Sequence, residues 1–158
     1  MSTVFAKLNL KDHKRIVVLN SPGSFESELA ALKGVEITRD LKKTNAVAFS
    51  LAFVTTQEQV DVLAPALAGK SEGDAVLWFA YPKRTSKKYK SQIDRDHGWN
   101  ALGSEGFEPV RMVAIDEDWS AVRFRRAGFI NNMTRPEEFR LTQQRKDQPA
   151  KSRPLKTI

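Results

Sequence analysis

The chain has 158 residues, 41% hydrophobic and 28% charged, with no cysteine and a formal charge of +7. That length suits one domain with a proper core and excludes two ordinary domains. The lack of cysteine excludes a disulfide framework, a thiolate nucleophile and thiolate metal sites, and two histidines, His13 and His97, are too few for a multi-histidine centre.

The N-terminal stretch has no apolar core of a secretory signal, and no apolar run approaches the roughly 20 residues that span a bilayer. A soluble, cytoplasmic protein without membrane association is the expectation. Residues 1–80 carry nine Lys and Arg against nine Asp and Glu, residues 81–132 ten against seven, and residues 133–158 seven against three. The excess positive charge therefore sits in the Lys83–Lys90 stretch and at the C-terminus. A basic balance favours polyanion contact in general, without naming a partner.

In chain order, Arg15–Leu19 is a continuous β-branched run, as expected of a strand buried on both faces. The turn Asn20–Ser24 ends it. Phe25, Leu29 and Leu32 then recur at helical spacing, with Gly34 as the helix stop. Residues 35–38 alternate as a short second strand, and residues 46–54 form a third, buried one. Thr55 and Glu58 have capping-box spacing ahead of the helical stripe Val60, Leu63, Ala64 and Leu67, which Pro65 interrupts. A turn at Gly69–Gly73 leads to the strand Ala75–Ala80. Ile93, Trp99 and Leu102 suggest a third helix closed by Gly106.

Residues 107–115 and 119–125 have no room for a helix between them, so Asp116-Glu117-Asp118 is the turn of an antiparallel hairpin. The expected fold is α/β, a Rossmann-like three-layer sandwich whose mainly parallel sheet ends in that hairpin. It occupies residues 1–132 as a single domain. Residues 133–158 have few large apolar groups, chiefly Phe139 and Leu141, and read as a basic, flexible tail.

Four segments carry a family resemblance: Ile16–Pro22, Trp78–Lys83, Asp94–Trp99 and Asp116–Arg125. Through them, residues 5–130 resemble a bacterial family of small Rossmann-like α/β domains of unknown function. More distantly, the element order is similar to the C-terminal half of S-adenosylmethionine-dependent methyltransferases. That likeness implies a glycine-rich first loop and an acid ending the second strand to hold ribose hydroxyls. Here the loop is Asn20-Ser21-Pro22-Gly23-Ser24, the nearest acid is Asp40, and the chain between Asp40 and Ala46 is too short for the usual helix and third strand. No cofactor is therefore expected.

The sharpest candidate site is Tyr81–Lys90, which leaves the C-terminal end of a buried strand, where open α/β sheets bind ligands. Lys83, Arg84, Ser86, Lys87 and Lys88 suit phosphate contact. Asn20, Ser21 and Ser24 are expected to converge on Lys83 from across the sheet, offering hydroxyls and backbone N–H groups. Asp94 to His97, with Asp116 and Asp118, could be imagined as metal ligands, but a helix cap at Asp94 or Asp96 is the plainer reading. No catalytic or metal residue is assigned. Trp78, Trp99 and Trp119 read as core, and Arg123, Arg125 and Arg126 as the solvent face of an edge strand.

The leading reading is a non-catalytic α/β module binding an anionic, phosphate-bearing ligand at the C-terminal end of the sheet. The alternatives are a reduced methyltransferase-like enzyme and a nucleic-acid accessory protein.

Overall fold

The computed structural model describes residues 3–130; the tail proposed for residues 133–158 lies outside them. A short helix α1 (Thr3–Lys7) precedes strand β1 (Arg15–Leu19), which begins at the residue where the β-branched run begins. A 3-10 turn (Gly23–Phe25) runs into α2 (Glu26–Ala30), followed by β2 (Glu36–Thr38), a second 3-10 turn (Leu41–Lys43), β3 (Val47–Phe53), α3 (Gln57–Lys70) and β4 (Ser71–Pro82). The chain ends in α4 (Asn100–Ser104), β5 (Phe107–Ala114), β6 (Trp119–Arg126) and a last 3-10 turn (Ala127–Phe129).

These six strands form one sheet in the order β2-β1-β3-β4-β6-β5. The first four run parallel, and β6 is antiparallel to both β4 and β5. The Rossmann-like α/β fold and its terminal hairpin are thus present as expected.

Helices cover both faces, so the central strands feed two cores and their apolar runs need not alternate. Leu77, Phe79 and Tyr81 of β4 face α3, with Trp99 and Leu102 beside it, while Val76, Trp78 and Ala80 face the side of Phe5, Phe25 and Leu29. Rings stack through each layer. Trp99 lies 5.8 Å from Phe79 and 5.2 Å from Phe124, and Phe53 lies 5.0 Å from Phe25 and 5.1 Å from Trp119. Trp78, Trp99 and Trp119 are all buried core residues.

Local departures have local causes. The capping box at α3 uses Thr56 and Gln59, one residue later than the sequence spacing suggests, because the Gln59 side chain also accepts from the Thr55 N–H. Pro65 sits inside α3 without ending it. The N–H it lacks would have bonded to Asp61, an exposed residue whose carbonyl water can serve. There is no helix from Ile93 to Trp99: backbone turns fill that stretch and only Asn100–Ser104 is helical. Finally, β6 is not an edge strand, since β5 lies outside it. Arg125 makes a two-point ion pair with Asp74 at 2.7 and 2.8 Å, and Arg126 donates to the carbonyls of Ser71 and Ala68 with its guanidinium over the Phe107 ring. These arginines hold β4, α3 and the hairpin together rather than repelling neighbours in solvent.

Candidate functional site

In sheets of this kind the usual ligand crevice lies beyond the carboxyl ends of the strands where the strand order reverses. Here that point lies between β1 and β3. Asn20 follows β1 with φ +60°, a conformation asparagine tolerates, and its side-chain amide donates to the Phe53 carbonyl at 3.3 Å. The end of β1 is thereby tied to the end of β3. Ser21 donates its hydroxyl to the Glu26 carboxylate at 2.7 Å, and Arg39, just past β2, grips the same carboxylate at 2.8 and 3.0 Å. Those bonds, Arg39 first and Ser21 second, hold the Glu26 carboxyl below its ordinary range, and Glu26 raises Arg39 in return. Asp40 accepts from the Lys42 N–H at 3.0 Å, capping the second 3-10 turn. Ser24 is exposed beside them. Ser21, Glu26 and Arg39 are committed to one another, and Asn20 and Asp40 to backbone groups.

The end of β4 is different. Lys83 N–H donates to the Asp118 carbonyl at 2.8 Å, and the Ser86 hydroxyl donates to the Asp118 carboxylate at 2.8 Å while accepting from the Lys88 and Tyr89 N–H groups. Tyr89 then packs its ring 5.0 Å from Trp119. The loop is drawn toward the β5–β6 turn. Two strand spacings of 4.7–4.9 Å separate β1 from β4, roughly 10 Å. β3 stands between the two ends, and neither described cavity that Lys83 lines is lined by Asn20, Ser21 or Ser24. Lys87 and Lys88 are exposed, and Ser86 is occupied in shaping the loop.

Facing Lys83 is a second, tightly built segment. Asp94 Oδ1 accepts from the N–H groups of Asp96 and His97, each at 2.9 Å, and meets His97 Nδ1 at 2.9 Å. It caps its own turn, not a helix. Partial burial pushes the Asp94 carboxyl up, but the bonds from His97 and from the two N–H groups outweigh this and hold it below the usual range. The Trp99 indole N–H donates to the Asp94 and Arg95 carbonyls, and the Gln57 amide donates to the Gly98 carbonyl at 2.9 Å. Gly98 has φ +102°, and a Cβ there would fall 2.2 Å from Ile93 Cγ2. Only glycine fits that position.

Between the two segments lies a cleft of about 340 Å³, lined by Tyr81, Lys83, Arg84, Asp94, Arg95, Asp96, His97 and Ser120. A neighbouring cavity of about 400 Å³ shares Lys83, Arg84 and Asp94 and reaches Ser86 and Tyr89. Burial first, then the Asp94 charge, pushes the Tyr81 hydroxyl up. Arg84 reaches Asp94 at 3.6 Å, and Arg95 reaches Asp96 at 3.4 Å. Lys83 has no ion pair among the described residues. With Nδ1 held by Asp94, His97 has Nε2 as its remaining ring nitrogen, and Lys83, Arg84 and Arg95 line the cleft with it. Tyr81, Ser120 and the Asp94–His97 turn were not legible as one wall, since their meeting depends on the antiparallel register of β4 and β6. Asp116 and Asp118 serve the hairpin turn, and among the described residues no group of three or more His, Asp or Glu side chains could hold a metal ion.

No protein-family model and no curated protein matches this sequence. Among solved structures, the fold is similar to a SAM-dependent methyltransferase from Aquifex aeolicus, with TM-score 0.53 and 14% identity over 77% of this chain and 87% of that one. The fold is methyltransferase-like. Fibrillarin, a pre-rRNA processing protein of Methanococcus jannaschii, aligns with TM-score 0.47 and 12% identity over 73% of this chain and 67% of its own, too distant to add to that conclusion. The expected kinship with a bacterial domain family of unknown function has no matching family model behind it. The likeness to methyltransferases is one of fold.

The groups present at the β1–β3 end do not fit the cofactor that such a fold implies. The first loop carries Pro22 and a single glycine, the Asn20 side chain bridges the crevice to Phe53, and the acid past β2, Asp40, is held by its own turn. No helix among the described residues is long and apolar enough to cross a membrane.

Proposed function

We propose that the protein is a reduced methyltransferase-like module that binds a small phosphate-bearing ligand in the cleft at the end of β4. The observation that carries this reading is Lys83. It is tied through its backbone to Asp118, it has no acidic partner among the described residues, and it lines a cleft with Arg84, Arg95 and His97. A charge-assisted hydrogen bond to phosphate contributes about 1.5–3 kcal/mol. Arg84 and Lys83 form the primary contacts, Ser86 holds the loop, and Lys87 and Lys88 supply longer-range attraction. Asn20, Ser21 and Ser24 do not enter this site.

The fold likeness favours a second reading, a methyltransferase-like enzyme of reduced size, which requires a methyl donor to bind elsewhere than at the β1–β3 end. Fold alone does not transmit activity. Titrating the full chain with inorganic pyrophosphate, followed by amide NMR, tests the first reading. Saturable shifts at residues 83–86 and 94–98, weakened about tenfold or more by Lys83→Ala, are expected. Unchanged affinity in that variant would overturn it.

A further inference from the structure

The cleft of about 340 Å³ at Lys83 and the cavity of about 400 Å³ beside it have Lys83, Arg84 and Asp94 in common, so they adjoin. Each lies within the roughly 300–1,000 Å³ of small-ligand sites. Beyond the shared residues, the second cavity is bordered by groups of another kind, chiefly Tyr89, Lys90 and Gln92.

Local bonds place the Tyr89 ring beside the cations. The Lys83 N–H donates to the Asp118 carbonyl at 2.8 Å, and the ring of the next residue, Trp119, lies 5.0 Å from the ring of Tyr89. Ser86 joins the two, bonded to the Asp118 carboxylate and accepting from the Tyr89 N–H at 3.1 Å. Both ends of the loop are thus held by one dipeptide. Tyr89 is half-buried, with Trp119 packed against it and the cavity also at its border. Gln92 is fixed from another side. Its N–H donates to the Thr55 carbonyl at 3.0 Å, and its Oε1 accepts from the Gln57 N–H at 2.9 Å. The two donors of its Nε2 have no partner among the described residues.

The charged groups bordering the second cavity are Lys83, Arg84 and Lys90 against the single carboxylate of Asp94. A phosphate monoester, with a charge of roughly −1.5 to −2 near neutral pH, matches that excess of cations. A phosphate alone leaves Tyr89 and Gln92 unused. A flat heterocycle uses both, since any nucleobase can stack on an aromatic ring and has acceptor atoms along its edge.

We infer that the ligand of this cleft is a nucleoside 5′-monophosphate. Lys83 and Arg84 hold its phosphate, and its base lies on Tyr89 with an acceptor edge toward Gln92 Nε2. The inference rests on the phosphate reading of the cleft and extends it into the adjoining cavity.

The test is an NMR titration of the full chain, at constant ionic strength, with ribose 5-phosphate, adenosine 5′-monophosphate and uridine 5′-monophosphate. Saturable amide shifts at residues 83–92 are expected, with at least one nucleotide binding about tenfold or more tighter than ribose 5-phosphate. Tyr89→Leu should abolish that gain and leave ribose 5-phosphate unchanged, whereas Tyr89→Phe keeps the ring and should retain it. Nuclear Overhauser contacts between base protons and the Tyr89 ring are expected in the unaltered chain, so the outcome does not depend on a variant folding. Equal affinity for all three ligands, a gain that survives Tyr89→Leu, or absence of those contacts would overturn the inference. Lys83→Ala should weaken all three ligands. Ribose 5-phosphate that binds through Lys83 with no gain from either base overturns the inference alone, and no binding of any ligand overturns the phosphate reading with it. A 5′-phosphorylated tetranucleotide separates two sources of the same chemistry. Affinity equal to that of the mononucleotide marks a free nucleotide, and binding about tenfold tighter marks the 5′ end of a strand.

Discussion

The ends of β1 and β4 lie on the same rim of one sheet, yet they handle polar groups in opposite ways. At β1, Asn20 is bonded to Phe53, Ser21 and Arg39 to Glu26, and Asp40 to Lys42. At β4, the internal bonds of Asp118, Ser86, Asp94 and Gln57 build two walls, and Lys83, Arg84 and His97 are left lining the space between them. A rim whose hydrogen bonds close on themselves is structural. One whose bonds leave charged side chains lining a cleft is the end proposed to bind a ligand.

The largest effect expected from disturbing this contrast is Gly98→Ala. The added methyl would overlap Ile93 in a backbone conformation that disfavours alanine, with a cost on the order of 3 kcal/mol. Chemical denaturation should show that loss, and amide shifts should change around residues 93–99 while those of residues 20–26 stay in place. Equal disturbance at both ends would mean that they are not independent.

Acid should act on both ends in the same direction. The carboxyls of Glu26 and Asp94 are held lower in the folded chain than in the unfolded one, so each contributes stability that is present above the unfolded carboxyl range, about pH 4, and is lost as pH falls through the folded value. Glu26→Gln and Asp94→Asn should each flatten the fall in stability below about pH 4 and leave the slope between pH 6 and 8 unchanged. A steeper acid limb in either variant would contradict the assigned bonds. A smaller change is expected at Asn20. Asn20→Ala should lose about 1–2 kcal/mol in a melting experiment, from the bond to Phe53 and from the strained positive φ, whereas Asn20→Gly keeps the backbone relaxed and should lose less.

Much of the fold was legible because its signals are local. The apolar runs of β1, β3 and β4 announce strands covered on both faces, and Asp116-Glu117-Asp118 leaves space only for a hairpin turn. What was not legible depends on pairing. Ile93 and Trp99 are spaced as on a helix, but Gly98 and the hydrogen bonds of Asp94 bend the chain into a turn that buries both. The arginines of β6 looked like an exposed edge because nothing in their own segment shows that β5 lies outside them or that Asp74 waits on β4. Lys83 was recognisable as a candidate from its place after a buried strand. Its true neighbours, Tyr81, Ser120 and the Asp94–His97 turn, follow from sheet order, which sets β3 between Lys83 and the Asn20–Ser24 turn.

The cleft proposed to bind a ligand lies at the end of β4, while the polar groups of the β1–β3 end are tied up in its own bonds. Titration calorimetry of the full chain with S-adenosylmethionine tests that contrast most directly. The bonded groups of the β1–β3 end predict no saturable heat at ligand concentrations up to about 1 mM, a ceiling of about −4 kcal/mol on the binding free energy. Low-micromolar affinity, with amide shifts at residues 20–24 and 39–40, would contradict it.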